Sequence, residues 1–243
     1  MLNRSDEILS VIKADLVDLK ALKALCLLGC PDFPGIRSKC WKFLLGYLPT
    51  SSESREEKLK FHREQYALYV KDFVVESGSS EFSDHPLDSN PDGKWTSFFL
   101  DNEVLLQINK DCRRLYPDFD FFHRITDHPS NELFGEPVGI LRRRIETSSL
   151  QVRAVQHNLS GFIGAIHPCT YERVHQRALP SDLDQHRSTS NADCEERHWE
   201  VIERILYVYY KTHVTQGYVQ GMNEVIAPIY YLFATDPDRS WRR

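Results

Sequence analysis

The spacing of apolar residues constrains the fold of this chain more than any other feature of its sequence. In six segments of the 243-residue chain, apolar side chains recur mostly at steps of three and four, which is the period of an amphipathic α-helix. The strict alternation typical of half-buried β-strands is nearly absent. No apolar run reaches the roughly 18–20 residues that a membrane-spanning helix needs, so direct insertion into a membrane is not expected. The sequence therefore predicts an all-α fold.

The apolar spacing predicts helices at 5–28, 37–47, 53–75, 98–114, 198–212 and 222–234. The first is predicted to be one continuous helix of the amino-terminal segment 1–30. Ser5 and Asp6 are typical of a helix start, and Gly29 is typical of a helix end. The last predicted helix is apolar on nearly all sides, which indicates burial.

Two segments lack a sustained helical period. Residues 76–95 are rich in turn-forming side chains and are predicted to form a loop. Residues 124–197 hold at most a short helix at 141–145, and the Arg142–Arg144 run within them is typical of a solvated face. Because structureless connections of this length are uncommon in compact domains, 124–197 is predicted to be a long, irregular and disordered insertion.

The charge and the cysteines narrow the functional classes. Thirty Lys and Arg against thirty-five Asp and Glu give a net charge of −5, so nothing favours nucleic acid as a partner. The six cysteines lack CxxC spacing and are too few for a disulfide scaffold, which predicts reduced thiols and no metal site. No signal peptide, P-loop or dinucleotide-binding motif is present, so we expect a cytoplasmic protein that binds no nucleotide of its own.

The first candidate site is formed by Ile108, Asp111 and Arg114. On a helix these residues share about a third of the circumference. Ile108 can therefore anchor in the core while Asp111 pairs with Arg114 at i+3. Taken alone, the pattern favours the alternative of a simple surface ion pair, since such pairs are common.

The second candidate site is the segment Gly217–Asn223, between two predicted helices. Its glycines, Gly217 and Gly221, permit a tight turn and the close approach of a partner. The amide of Gln220 both donates and accepts hydrogen bonds and can orient a water, and Tyr218 adds a rigid wall with a hydroxyl. A glycine-bounded turn between helices with an incidental glutamine remains the alternative.

Together with a third motif, these segments resemble the TBC-domain family of GTPase-activating proteins for Rab GTPases. The third motif is Gly35-Ile-Arg37-Ser-Lys-Cys-Trp41, which matches the family's Gly-x-Arg-x-x-x-Trp pattern. Ile108, Asp111 and Arg114 match its Ile-x-x-Asp-x-x-Arg motif, and Tyr218-Val-Gln220-Gly221-Met222 matches its Tyr-x-Gln-Gly-Met motif. The three motifs stand in the family's order.

The resemblance implies a function and roles for these residues. Arg114 is expected to act as an arginine finger and Gln220 as a glutamine finger, both supplied in trans to a GTP-bound Rab GTPase. The Rab itself holds GTP and Mg²⁺, so the protein is expected to be a regulator of an enzyme, to need no cofactor and to act in vesicle trafficking. Asp111 would orient Arg114, Tyr218 would shape the loop, and Arg37 and Trp41 would be structural. The alternative is a helical scaffold that binds Rab without accelerating hydrolysis.

The resemblance also implies expectations about arrangement. Because Arg114 and Gln220 must reach one phosphate, the insertion should loop out and leave helices 98–114 and 198–212 as neighbours. Residues 31–243 are expected to be the amino-terminal helical half of a TBC domain, incomplete at the carboxy terminus. A chain of that kind should expose the apolar face of 222–234, and it should be aggregation-prone and weakly active.

Overall fold

The computed structural model describes residues 4–31, 33–75, 94–127, 129, 139–149 and 195–236. Within these ranges the chain forms eight α-helices: α1 (Arg4–Lys13), α2 (Leu19–Leu27), α3 (Ile36–Leu44), α4 (Arg55–Val70), α5 (Lys94–Arg113), α6 (139–149), α7 (His198–Thr212) and α8 (Met222–Thr235). A π-helical turn, Lys71–Val75, continues α4, and a 3₁₀ turn spans Asp120–His123. The described ranges contain isolated bridges but no β-strand, which confirms the all-α prediction.

The chain divides into two compact units. The first unit comprises Met1–Tyr69 and Glu224–Arg243, and the second comprises Val70–Asn223. Among the helices of the described ranges, none is both long and apolar enough to cross a bilayer.

In the first unit, α1, α2 and α3 pack around an apolar core. Its buried members are Ile8, Ile12, Val17, Leu22, Ile36, Cys40 and Phe43. These side chains lie on one face of each helix, so removing their surface from water holds the three helices together.

The predicted single helix over 5–28 is wrong, because the structure divides it into α1 and α2. Asp18 caps α2, and its carboxylate accepts hydrogen bonds from the backbone N–H groups of Lys20 at 2.9 Å and Ala21 at 3.3 Å. The backbone N–H of Val17 donates to Thr50 O at 3.0 Å, a bond to another segment that a continuous helix could not make. Apolar spacing alone could not distinguish a bent pair of helices from one helix.

In the second unit, α5 and α7 pack side by side in opposite directions. At one end, Asp101 accepts from Tyr210 Oη at 3.1 Å and from Lys211 Nζ at 2.6 Å. Further along, Asn109 Nδ2 donates to Glu203 Oε1 at 2.8 Å. As the residue number rises along α5, that of its partner falls along α7, which makes the pair antiparallel.

The segment between α5 and α7 begins and ends at neighbouring positions. The N–H of Thr126 donates to Glu196 O at 2.8 Å, and the N–H of His198 donates to Arg124 O at 3.1 Å. These bonds join the two ends of the predicted insertion. They confirm the expectation that α5 and α7 are neighbours, with the two ends of the insertion side by side.

The short helix allowed at 141–145 is present as the longer α6 (139–149), so 124–197 is more regular there than predicted. Leu141 of this helix is buried, and Arg142 forms a two-pronged ion pair with Glu200, at 2.6 and 2.8 Å. Arg144 donates twice to Asn102 Oδ1, at 3.1 and 2.8 Å. Arg142 and Arg144 therefore bind neighbouring helices instead of forming a solvated face. Most of 124–197 lies outside the described residues.

The predicted burial of 222–234 is also largely wrong. In α8 only Asn223 and Ala227 are fully buried, whereas Val225 is 69% exposed. The described residues cover only part of the surface of this helix, and an all-round apolar helix needs neighbours on every side. The predicted loop 76–95 lies outside the described residues up to 93, and α5 begins at Lys94.

Candidate functional site

Asp111 is the centre of the candidate site. It lies in the last turn of α5 and is fully buried, as is Ile108 one turn earlier. The expectation that Ile108 anchors in the core is therefore confirmed. Arg114 comes immediately after the helix ends at Arg113, so its side chain projects from the helix terminus.

Three side chains donate hydrogen bonds to the buried Asp111 carboxylate. Arg114 Nη2 donates to Oδ1, Gln107 Nε2 donates to the same oxygen at 3.1 Å, and Tyr218 Oη donates to Oδ2 at 2.8 Å. The Asp111 side chain is 1% exposed, but that of Arg114 is 60% exposed. Arg114 is thus held through one guanidinium nitrogen, while most of its side chain is exposed to solvent.

The Tyr218 phenol is a fixed donor in this arrangement. Burial, followed by the hydrogen bond to the Asp111 carboxylate, raises the pKa of Tyr218 well above its ordinary value. The hydroxyl therefore stays protonated and continues to donate across the physiological pH range.

The loop that carries Gln220 is attached to Asp111 on both sides. Tyr218 lies two residues before Gln220, and Asn223, three residues after it, donates through Nδ2 to Asp111 O at 3.0 Å. Gly221 has a φ of 99°, a conformation that favours glycine and turns the chain into α8. Gln220 itself is exposed, and within the described ranges its side-chain amide makes no hydrogen bond to protein.

The chain turns sharply after Arg114. Tyr116 has a φ of 41°, a value that L-residues with large side chains rarely adopt. Its ring packs against buried Phe122, with 5.8 Å between centroids, and the N–H of Phe119 donates to Tyr116 O at 2.8 Å. These contacts hold the strained turn and stop α5 from continuing past Arg114.

The third motif lies in the first unit. Gly35 caps α3 with a φ of 77°, and Arg37 Nη2 donates to Cys30 O at 3.3 Å. Gly35 thus shapes the start of α3, and Arg37 binds a backbone carbonyl seven residues earlier. Trp41 is 40% exposed, so it is not a core residue of this unit.

Sequence reasoning missed several residues that support the site. Gln107 precedes Asp111 by four residues, a helical spacing that could have identified it. Asn223 directly follows the glutamine motif. The bond between Asn109 and Glu203 joins residues far apart in the sequence, and no local signal points to it. Burial raises the pKa of Glu203 to about 8. The Asn109–Glu203 bond is thus a second buried polar contact, two residues before Asp111 in α5.

The chain is similar to several curated proteins. It is 41% identical to human "TBC1 domain family member 13" over 96% of its length and 59% of that protein. It is 30% identical to the Schizosaccharomyces pombe "TBC domain-containing protein C1952.17c" over 91% of its length and 43% of that protein. It is 29% identical to the "GTPase-activating protein gyp1" of the same yeast over 71% of its length and 30% of that protein.

The chain thus spans about six-tenths, or less, of the length of these relatives. No family model matches it, and no solved structure matches it significantly. The relationship nevertheless extends over nearly the whole chain and includes all three motifs. The chain belongs to the TBC-domain family.

Proposed function

We propose that this protein accelerates GTP hydrolysis by a Rab-family GTPase, with Arg114 and Gln220 entering the site of the GTPase in trans. The observation that carries the proposal is that Asp111 binds both Arg114 and the loop that carries Gln220, through the Arg114 ion pair and the Tyr218 hydrogen bond. The description of one relative as a GTPase-activating protein supports it. The family resemblance of the two motifs names the partner as a Rab.

Arg114 has the chemistry to stabilise the transition state. A Rab holds GTP and Mg²⁺ and hydrolyses slowly by itself, because negative charge develops on the transferring phosphoryl group. A guanidinium is planar and always charged, so it can offer two parallel donors to phosphate oxygens. With one prong on Asp111 and 60% of the side chain exposed, Arg114 is oriented and still accessible to a partner.

Gln220 has the chemistry to position the attacking water. Its amide can accept from the water and donate to the phosphate at once. The bonds of Tyr218 and Asn223 to Asp111 restrain the loop on both sides of Gln220 and leave its amide exposed. Such restraint lowers the entropy that the amide must lose on reaching its catalytic position.

The supporting residues act through these two. Ile108 anchors the helix, Asp111 orients Arg114, and Tyr218 and Gly221 shape the glutamine loop. The protein contributes side chains to a site that the GTPase completes, so it is a regulator of an enzyme and needs no cofactor of its own. We extend the proposal to its place of action, a cytoplasmic protein recruited transiently to Rab-bearing membranes during vesicle trafficking.

Phosphate release from a panel of GTP-loaded Rabs tests the proposal. Wild-type protein should accelerate release from at least one Rab. Arg114→Ala should reduce that acceleration by roughly 10³–10⁵-fold, which is about 4–7 kcal/mol of barrier. Gln220→Ala should reduce it by roughly 10²–10³-fold, the effect of losing one preorganised group.

Two neighbours provide matched controls. Arg113→Ala removes the adjacent arginine, which lies over the Trp199 ring at 5.4 Å and makes no contact with Asp111 among the described residues. Gln216→Ala removes an exposed glutamine of the same loop, which accepts from Tyr209 Oη at 2.6 Å. Both should retain acceleration within a few-fold. Rab binding by wild-type protein with no acceleration of any Rab would favour the inactive scaffold and contradict the proposal.

A further inference from the structure

Three cysteines of the first unit lie together, although the sequence predicted only reduced thiols and no metal site. Cys26 lies in the last turn of α2, Cys30 follows that helix, and Cys40 lies in α3. All three sulfur atoms lie within 4.8 Å of one another. The spacing of these residues differs from the paired CxxC pattern, so the cluster is a product of the fold.

The backbone between the helices brings the sulfurs together. Gly29 has a φ of 104°, and its N–H donates to Cys26 O at 2.9 Å. This turn ends α2 and directs Cys30 back towards Cys26. Arg37 Nη2 donates to Cys30 O at 3.3 Å and fixes Cys30 to α3, the helix that carries Cys40.

The dimensions of the cluster are close to those of a metal–thiolate site. Zinc–sulfur bonds of about 2.3 Å in tetrahedral geometry place the sulfurs about 3.8 Å apart. The three sulfurs would therefore need to approach by no more than about 1 Å. A disulfide requires two of them to close to about 2.05 Å with a specific dihedral angle, which is a larger rearrangement.

The surroundings also fit a metal with one open position. Cys40 is buried, whereas Cys26 and Cys30 are half-buried, so solvent can reach one side. Within the described ranges, no histidine, carboxylate or other cysteine joins the three sulfurs, which leaves the fourth position to water. Arg4 Nη2 donates to Leu25 O at 2.9 Å beside the cluster, and its charge can offset the net −1 of zinc with three thiolates.

We propose that Cys26, Cys30 and Cys40 bind one Zn²⁺ ion as thiolates, with water as the fourth ligand. On binding, the three thiols release their protons to solvent, and no oxidant or reductant takes part. Because the ligands come from α2, α3 and the turn between them, the ion would crosslink the apolar core of the first unit. All three ligands belong to the first unit, and the proposal does not depend on the proposed function.

Zinc binding by the full chain tests this proposal. The protein is stripped with a chelator, kept reduced with a phosphine, loaded with zinc chloride and desalted. We expect one zinc per chain by elemental mass spectrometry and a higher Tm than that of the stripped protein. Peptide mapping after alkylation should show Cys26, Cys30 and Cys40 protected by zinc. Co²⁺ in place of zinc should give the thiolate charge-transfer absorption of tetrahedral coordination.

Single substitutions locate the ion. Cys26→Ser and Cys30→Ser alter half-buried side chains, and each should weaken zinc binding by at least about 100-fold, since even losing a hydrogen-bond partner of a ligand costs roughly 10–100-fold. Helical circular dichroism of these variants verifies that they fold. Cys169→Ser, which removes a cysteine outside the described residues, is the control and should retain one zinc per chain. Substoichiometric zinc in wild-type protein, equal alkylation with and without zinc, or full zinc retention in Cys30→Ser would each overturn the proposal.

Discussion

Each of the two units of this protein is stabilised internally by a different kind of contact. The core of α1, α2 and α3 is built mainly from apolar residues such as Ile8, Leu22 and Phe43. One buried polar contact of this unit, from Ser38 to Asp236, lies outside that apolar cluster. The interface of α5 and α7 also has apolar members, but it buries Asp111 and Glu203 among them. In that interface the polar groups determine which atoms face each other.

Apolar contacts mainly stabilise the fold, whereas buried polar contacts also fix the positions of particular side chains. Apolar contacts are non-directional, so the first core can adjust to small changes of side-chain shape. A buried carboxylate is costly without donors, and it therefore fixes the groups that satisfy it. Asp111 accepts from Gln107, Arg114 and Tyr218, and this need is what brings the candidate catalytic residues together.

Asp111→Ala should have the largest effect of the variants that distinguish the two regions. Removing the Asp111 carboxylate leaves its buried donors unsatisfied, so the free energy of unfolding should fall by about 1–3 kcal/mol for each such donor. GTPase acceleration per folded molecule should fall as well, because Arg114 and Tyr218 lose their common acceptor. Urea denaturation and phosphate release measure the two effects, and a loss of only one of them would separate positioning from stability at this residue.

Leu22→Ala should lower stability without affecting catalysis. Leu22 is fully buried in the apolar core of the first unit, so the cavity should cost about 2–5 kcal/mol by urea denaturation. GTPase acceleration per folded molecule should remain that of wild type under conditions where the variant is folded. A fall in acceleration comparable to that of Asp111→Ala would show that the apolar core also positions the site.

Glu203→Gln should remove a pH dependence of stability that arises in the interface of α5 and α7. Burial raises the pKa of Glu203 to about 8 in the folded state, from 4.5 in the unfolded chain. Between these values the folded state binds more protons, so wild-type stability should fall as pH rises from about 5 to 8, by a few kcal/mol in all.

The glutamine variant keeps an acceptor for Asn109 but cannot ionise, so its stability should change less over the same range. Urea midpoints measured at several pH values provide the comparison. Leu22→Ala serves as the control, since its stability should be lower but parallel to wild type across this range. Identical pH profiles for wild type and Glu203→Gln would show that Glu203 does not titrate in this range.

Tyr218→Phe should have the smallest effect. It removes only the hydroxyl that donates to Asp111 Oδ2 at 2.8 Å, which is worth about 0.5–1.5 kcal/mol of stability. Because that bond restrains the loop before Gln220, GTPase acceleration should fall up to about tenfold. Wild-type acceleration in this variant would indicate that the bond from Asn223 restrains the loop by itself.

The sequence predicted more of the helices than of their ends and contacts. The predicted helix 198–212 agrees with α7, in which Trp199, Ile202 and Leu206 are buried. The prediction failed between α1 and α2, where Asp18 caps a new helix within an unbroken apolar pattern. It also allowed only a short helix where α6 lies, and it missed that Arg142 and Arg144 bind partners distant in the sequence.

For the candidate site, the sequence by itself determined the chemical groups. The residue types and order of the three motifs predicted Arg114, Gln220, Asp111 and Tyr218, because that chemistry depends on residue identity. Only the tertiary structure decided that Asp111 also accepts from Tyr218, that Asn223 supports it, and that three cysteines meet in the first unit. Such contacts join residues whose separation in the sequence does not follow the period of one helix. They therefore follow from the packing of helices and not from any local pattern.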